Sequence, residues 1–290
     1  MILSSGKTDQ QYYHGFDYLR ALFSFFVLAM HHQLFNIIDG NYAAAGYTIT
    51  LGKIVVFNIF TLAVPGFLMI SLFLFIKKKR STLAGNLKRL KPVLALYIFW
   101  VALWILIRRQ TPEPGFIRFI LFLVRGGYSV FYFFFTLLCL QLLACLLMNL
   151  NPRINWVLLV LSLLANYIYP RLNMVHPCFR ILVAYYNPLS FLPCLFAAQL
   201  LVYYENKIHQ YFSLLLVVLG VLFLAATALE WLTLVHPHHL QILIAPFPTN
   251  ARPSPAIGTV LLFIIALNVK QAVPRPIKII SNFSLGLKGN

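Results

Sequence analysis

Two ionisable side chains in one apolar stretch carry the strongest chemical signal in this sequence. Arg20 and His31 enclose ten residues without an ionisable group, within the apolar run at residues 16–38. At about 100° per residue, eleven helical steps make three turns plus about 20°, so both side chains leave a helix on one face, roughly 16 Å apart along its axis. An imidazole with a pKa of about 6.5 suits a general base, and a guanidinium suits an anion.

This pair also has a structural interpretation. His31 would then hydrogen-bond to a neighbouring helix, and Arg20 would extend to the membrane interface. The functional interpretation has both side chains face a cavity or the bundle interior, because ionisable groups are costly against lipid. The helix alone leaves these two interpretations open.

Two further residues bear on the same site. Asp17 is fourteen residues from His31, about 21 Å of helix, so we expect it to pair with Arg20 at i, i+3 instead. Ser71, in the second apolar run, is a candidate to orient the imidazole of His31. The alternative for this serine is a hydrogen bond back to its own helix.

Composition identifies a membrane protein. Hydrophobic residues make up 61% of the 290 residues and charged residues 10%, and the mean hydropathy is +0.82, which excludes a soluble domain. The net charge of +17 comes from bases between apolar runs, which indicates membrane topology and contact with lipid head groups; we expect no nucleic-acid partner. The four cysteines are too scattered for a disulfide framework.

Apolar runs divide the chain into eight complete spans and the start of a ninth. The sequence therefore predicts an all-α fold, a polytopic transmembrane helical bundle that forms one membrane-embedded domain over residues 1–290, with its last helices expected to be missing. The predicted spans are 16–38, about 51–76, about 92–107, 129–150, 154–169, 188–204, about 211–230 and about 256–269, and the ninth begins at 280.

Charge distribution predicts the orientation. Seven bases and no acid lie between Lys77 and Lys91, so the positive-inside rule places this loop and the N-terminus in the cytoplasm, as expected for a multi-pass protein of the inner cell membrane. Arginines on the outer side, among them Arg252, are candidates to bind an anionic acceptor. We expect an interfacial role for Glu230 rather than catalysis. We predict no metal site, since His236, His238 and His239 are too closely spaced for zinc.

Taken together, several segments resemble integral membrane acyltransferase family 3, the O-acyltransferases that modify bacterial surface polysaccharides. The resemblance covers about residues 14 to 286. It rests on FDYLR, the spacing of Arg20 and His31, VPGFLMISLFLFIKK in the second span, RLKP at 89–92, LLCLQLL in the fourth span and the late SNFSLG.

The resemblance implies an acyltransferase for groups other than amino-acyl groups. An acyl group, expected to be acetyl, would pass from cytoplasmic acyl-CoA to a hydroxyl of an extracytoplasmic glycan or glycolipid, with no bound cofactor. By this resemblance His31 is the catalytic base and Arg20 its partner. Arg89 takes the second position of a paired-arginine motif whose first position is Asn86 here, and Lys88 and Lys91 offer an alternative pair at the same spacing. We expect these three bases and Arg20 to bind the phosphates of acyl-CoA; the alternative for the three bases is that they set the topology alone.

Two alternatives stay open from the sequence. A transporter or polysaccharide-export subunit would use Arg20 and His31 to line a permeation path. A truncated, inactive family member would show no transfer, an outcome that the early end of the sequence favours. The family's Ser-Gly-Phe in the second span reads Ser71, Leu72 and Phe73 here, which removes a small residue.

Overall fold

The computed structural model describes residues 12–31, 51–78, 82–108, 115–124, 131–175, 186–233, 235–236, 241–242 and 249–285. Within these ranges the fold is all-α, as predicted, apart from the two-residue strands β1 (Val235–His236) and β2 (Gln241–Ile242), which pair antiparallel. The helices are α1 (His14–His31), α2 (Leu51–Asn58), α3 (Ala63–Lys77), α4 (Leu83–Lys88), α5 (Lys91–Arg108), α6 (Phe116–Val124), α7 (Tyr132–Leu147), α8 (Pro152–Val175), α9 (Leu192–Tyr203), α10 (Glu205–Gln210), α11 (Phe212–Thr233), α12 (Pro253–Leu267) and α13 (Arg275–Leu285).

A helix lies at each of the eight predicted spans and at the predicted ninth. Two of these helices differ from the prediction. The second run is two helices, because α2 ends at Asn58 and the 3-10 turn Phe60–Leu62 precedes α3. Pro65 lies in the first turn of α3, where a missing N–H costs no intrahelical bond. The last helix, α13, begins before the predicted residue 280. Residues 32–38 of the first predicted span and 286–290 of the ninth lie outside the described residues.

Three helical stretches among the described residues are long and apolar enough to cross a membrane. They are Ile54–Lys77, Leu83–Ile107 and Phe212–Thr233, of 24, 25 and 22 residues, and each exceeds the roughly 20 residues that a bilayer core requires. The shorter apolar helical stretches are Tyr132–Leu147, Pro188–Tyr203 and Pro253–Leu267.

Helix α3 forms the centre of the bundle. It packs against α1, α7, α9 and α12, and twelve of its fifteen residues are buried. In α11, by contrast, only Glu230 is buried. Because a helix that is apolar all round is either buried or exposed to lipid, we assign α3 to the protein core and most of the α11 surface to the lipid.

Aromatic packing fixes α1 against its neighbours. The rings of Phe16, Phe73 and Phe263 meet pairwise at 4.7–5.4 Å between centroids and join α1, α3 and α12. Such pairs contribute about 0.5–1.5 kcal/mol each beyond the area they bury. Glycine lets α1 approach its neighbours closely at two points. A Cβ on Gly15 of α1 would lie 1.9 Å from the carbonyl oxygen of Ala266 on α12, and a Cβ on Gly66 of α3 would lie 2.1 Å from the ring of Phe23 on α1.

Candidate active site

A layer of three phenylalanine rings sets the register of the helices around Arg20. Phe67 of α3 lies 5.7 Å from Phe23 of α1 and 6.5 Å from Phe133 of α7, between ring centroids. Phe16 meets Phe73 nearer the other end of α3, so α1 and α3 are antiparallel. The face of α3 that carries Phe67 therefore lies between α1 and α7.

Helices α3 and α7 run in the same direction. Arg89, which follows α3 and α4 in the chain, places its guanidinium 4.3 Å from the ring centroid of Phe75, and it is close enough to Cys145 of α7 to interact with it electrostatically. The far end of α7 is thus next to the far end of α3. With Phe133 beside Phe67 at the near ends, only a parallel arrangement satisfies both contacts.

One helical turn beyond the phenylalanine rings, the three helices carry Arg20, Ser71 and Thr136, which we call the polar layer. Arg20 is three residues before Phe23 on the antiparallel helix, Ser71 is four after Phe67, and Thr136 is three after Phe133. All three therefore lie at one depth, about 5 Å from the rings by helix rise.

Each member of the polar layer has an unused polar atom. The Nε of Arg20 and the hydroxyl oxygens of Ser71 and Thr136 are buried, and the described residues provide no hydrogen-bond partner for any of them. The backbone-bonded alternative for Ser71 is thus not what the structure shows. An unpaired buried polar group costs about 1–3 kcal/mol, so these atoms would gain by meeting a polar ligand.

Asp17 holds Arg20 in place, although the ion pair is long. Asp17 Oδ1 lies 3.8 Å from Arg20 Nη1, as predicted for an i, i+3 pair. The same oxygen accepts a hydrogen bond of 2.6 Å from Ser281 Oγ, and Oδ2 accepts one from the Tyr12 hydroxyl. Burial and the carboxylate raise the pKa of Tyr12 to about 12. Asp17 therefore connects α1 to α13 and leaves donors of Arg20 unused.

His31 is placed differently from the expectation of an enclosed imidazole. It is the last residue of α1 and is exposed, and the described residues offer it no hydrogen-bond partner. One side of α1 carries Arg20, Ser24, Val27 and His31. Phe23 lies on the adjacent side of the helix. His31 is thus on the far side of the phenylalanine rings from Arg20, about 16 Å along the helix.

The basic segment contributes one arginine near the polar layer. Arg89 is half-buried, and its Nη1 donates a 2.8 Å hydrogen bond to the carbonyl oxygen of Lys78. Since Phe75 is one turn from Ser71 on α3, Arg89 lies one turn further toward the basic end than the polar layer. Lys88 and Lys91 are exposed. The structure therefore brings Arg89 close to Arg20 in depth and leaves the two lysines on the surface.

Sequence reasoning missed a charged cluster beside this site. Glu205, at the start of α10, is buried and accepts hydrogen bonds from Lys77 and, at 2.7 Å, from the hydroxyl of Tyr13. Burial and this carboxylate raise the pKa of Tyr13. The sequence held one signal for this cluster: acids are rare, and Glu205 is one of only six in the chain. The cluster joins α3 and α10 to Tyr13, the residue before α1, at the basic end of the bundle.

The candidate role of Arg252 in binding an acceptor is wrong. Its side chain is 0% exposed and its Nη1 donates a 2.7 Å hydrogen bond to Glu230, which is 1% exposed. Arg252 Nη2 donates to the carbonyl oxygen of Phe57 at 2.5 Å, and its guanidinium lies 3.7 Å from the Phe57 ring centroid. Glu230 also accepts from the backbone and hydroxyl of Ser254, both at 2.6 Å. Glu230 is therefore an internal structural anion and not interfacial.

Comparison with known families decides the assignment. A family model described as an acyltransferase domain matches residues 13–287, nearly the whole chain. The chain belongs to acyltransferase family 3. No curated protein and no solved structure matches it. The family match and the apolar helices together identify this acyltransferase-family chain as a membrane protein, as the sequence predicted.

Proposed function

We propose that this family 3 protein transfers an acyl group, acetyl in the simplest case, from cytoplasmic acyl-CoA to a hydroxyl of an extracytoplasmic glycan or glycolipid. The observation that carries the proposal is the polar layer. The buried Nε of Arg20, on the helix that ends at His31, and the hydroxyls of Ser71 and Thr136, on two neighbouring helices, have no partner among the described residues. We place the protein in the inner membrane with its N-terminus in the cytoplasm, because the basic segment around Arg89 is then on the side of the donor.

The donor enters from the basic end. Arg89 and Arg20 bind its phosphates through charge-assisted hydrogen bonds, with Lys88 and Lys91 at the entrance. Coenzyme A carries its thioester on an extended arm, so the reacting carbonyl lies well away from the phosphates. The length of this arm suits a site in which Arg20 and the imidazole of His31 are about 16 Å apart and Arg89 lies about one helical turn further away.

His31 acts as the general base at the far end. Its neutral imidazole takes the proton of the acceptor hydroxyl as the oxygen attacks the thioester carbon, and the carbon–sulfur bond breaks as the tetrahedral intermediate collapses. The departing thiolate receives the proton from the imidazolium, which regenerates the base. General-base assistance of this kind is typically worth about a hundredfold to ten-thousandfold in rate.

The test is acyl transfer by purified protein in proteoliposomes, with labelled acyl-CoA and a glycan acceptor. We expect His31→Ala to lower kcat by about a hundredfold or more and His209→Ala to leave it unchanged. His209 is a matched control because it is also exposed and bonds only to Asn268, at 2.8 Å, among the described residues.

The donor side is tested separately. Arg89→Gln removes a cation near the entrance, so the KM for acyl-CoA should rise by about tenfold or more with a smaller change in kcat. Full activity of His31→Ala would refute the role of the imidazole. Acceptor flux across the membrane without acyl-CoA would instead support the transporter alternative.

A further inference from the structure

A second feature of the bundle lies away from the polar layer. An apolar groove of about 690 Å³ runs between α8, α9, α11 and α12, a volume within the range of small-molecule sites. Trp156 and Val160 line it on α8, and Leu222 marks its inner limit on α11. None of Arg20, Ser71 or Thr136 contributes to its wall.

One end of the groove is basic and aromatic. Lys207 lines the groove there together with Tyr204 and Tyr211, and its Nζ lies 5.7 Å from the ring centroid of Tyr204. Tyrosines and tryptophans concentrate where the hydrocarbon of a bilayer meets the head groups. This end therefore has the chemistry of the membrane interface, whereas the rest of the groove has that of the hydrocarbon.

Among the described residues, no acid neutralises Lys207. Its nearest acid in the chain, Glu205, is engaged by Lys77 and Tyr13, and no carboxylate among the described residues pairs with Lys207. Arg153 adds a second exposed cation one turn before Trp156 on α8. The basic end of the groove is thus complementary to an anion.

The length of the groove matches one leaflet. From Tyr211, the residue before α11, to Leu222 there are eleven helical steps, about 16 Å by helix rise, and half of a bilayer core is about 15 Å. Since Lys77 contacts Glu205, the Lys207 end is on the same side as the basic segment. The groove therefore extends from the head groups of that leaflet to about the midplane.

We infer that this groove binds one anionic phospholipid of the leaflet on the basic side. Its phosphate meets Lys207 between the two tyrosines, and its acyl chains lie against α8, α11 and α12. A cation at the membrane surface typically contributes about fivefold to the binding of an anionic lipid. The aliphatic wall accepts the chains without unpaired polar groups, and the head-group charge selects the lipid.

The test is native mass spectrometry of the full chain in detergent with equal amounts of phosphatidylglycerol and phosphatidylcholine. We expect one phosphatidylglycerol per protein to be retained preferentially. Lys207→Gln should weaken its binding by about fivefold, and Lys207→Arg should retain it. Lys270→Gln is the control, because Lys270 is an exposed cation outside the groove.

The apolar part is tested by filling the groove. Val160→Trp should exclude the acyl chains, whereas Val157→Trp, on the same helix but outside the groove, should not; both valines are exposed, at 51% and 58%. Equal retention of the two lipids, or unchanged binding in Lys207→Gln or Val160→Trp, would overturn the inference. A protein dimer without bound lipid would assign the groove to a second copy and overturn it as well.

Discussion

Breaking the buried ion pair between Glu230 and Arg252 should have different consequences depending on which partner is removed. Both side chains are almost fully buried, so neither remaining charge can be solvated. Arg252→Met leaves a carboxylate that can still be protonated. Glu230→Gln leaves a guanidinium that stays charged at any ordinary pH, so its cost cannot be relieved by a proton.

The magnitudes follow from these two cases. Neutralising an ordinary glutamate, whose pKa in water is about 4.3, costs about 4 kcal/mol at pH 7 and about 1 kcal/mol at pH 5. We therefore expect Arg252→Met to lose about 4 kcal/mol of unfolding free energy at pH 7, in line with the 3–5 kcal/mol typical of half-removed buried pairs, and most of that loss should disappear at pH 5.

Glu230→Gln should lose about 3–5 kcal/mol at both pH values. In the wild type one oxygen of Glu230 faces the backbone N–H of Ser254, and the other faces Arg252 Nη1. A glutamine amide must turn its own N–H groups toward one of these donors in either orientation. The double variant Glu230→Leu with Arg252→Met should lose less than the sum of the single variants, because it leaves no buried charge.

The assay is equilibrium unfolding in mixed micelles, followed by tryptophan fluorescence at pH 7 and pH 5. Trp231 is a local reporter, since its Nε1 donates a 3.1 Å hydrogen bond to Asn58 Oδ1. Lys77→Met is the contrast. The side chain of Lys77 is 38% exposed and Glu205 keeps its hydrogen bond from Tyr13, so the loss should be smaller, about 1–2 kcal/mol. The reasoning is refuted if Arg252→Met and Glu230→Gln show the same pH dependence, or if either costs less than Lys77→Met.

The helix contacts and the Tyr13 cluster give two further predictions for the same assay. Gly15→Ala should lose about 1–3 kcal/mol of unfolding free energy, because the added Cβ would collide with the backbone of Ala266. Gly220 has open space around it, so Gly220→Ala should gain up to about 1 kcal/mol. Equal effects of the two substitutions would contradict the packing argument. Tyr13→Phe removes the hydrogen bond to Glu205 and should lose about 1–2 kcal/mol of unfolding free energy. Because the folded-state pKa of Tyr13 is raised, the stabilisation by this bond is present below about pH 10 and declines above it. If the loss in Tyr13→Phe were the same at higher pH, the hydrogen bond to Glu205 would not be its cause.

Sequence periodicity predicted the structural features that depend on residues close together in the chain. The positions of the helices follow from the length of apolar runs, and the pairing of Asp17 with Arg20 follows from i, i+3 geometry. The end of α2 at Asn58 comes shortly before Pro65, which has no N–H to donate to the carbonyl oxygen of Thr61. What the sequence does not show is the tertiary contact at this break, where Arg252 donates to the carbonyl oxygen of Phe57, 195 residues away.

In the candidate site, too, contacts within one helix were predicted and contacts between distant residues were not. The shared face of Arg20 and His31 is a property of one helix and was predicted. The contacts of Asp17 with Ser281 and of Lys77 with Glu205 join residues 264 and 128 positions apart, and one sequence holds no signal for such pairing. Thr136 was visible as a polar residue in an apolar run, but its depth beside Ser71 depends on how α7 packs on α3.

The distribution of satisfied and unsatisfied polar groups argues for where a ligand belongs. Charged residues such as Glu230 and Asp17 have named partners, whereas ten buried side-chain atoms of the described residues have none. Three of these ten, on Arg20, Ser71 and Thr136, lie at one depth, each on a different helix. Three separate costs of about 1–3 kcal/mol at a single level are hard to explain by packing alone. A polar substrate that enters this level would remove them together, so the polar layer is where mutations should separate binding from stability.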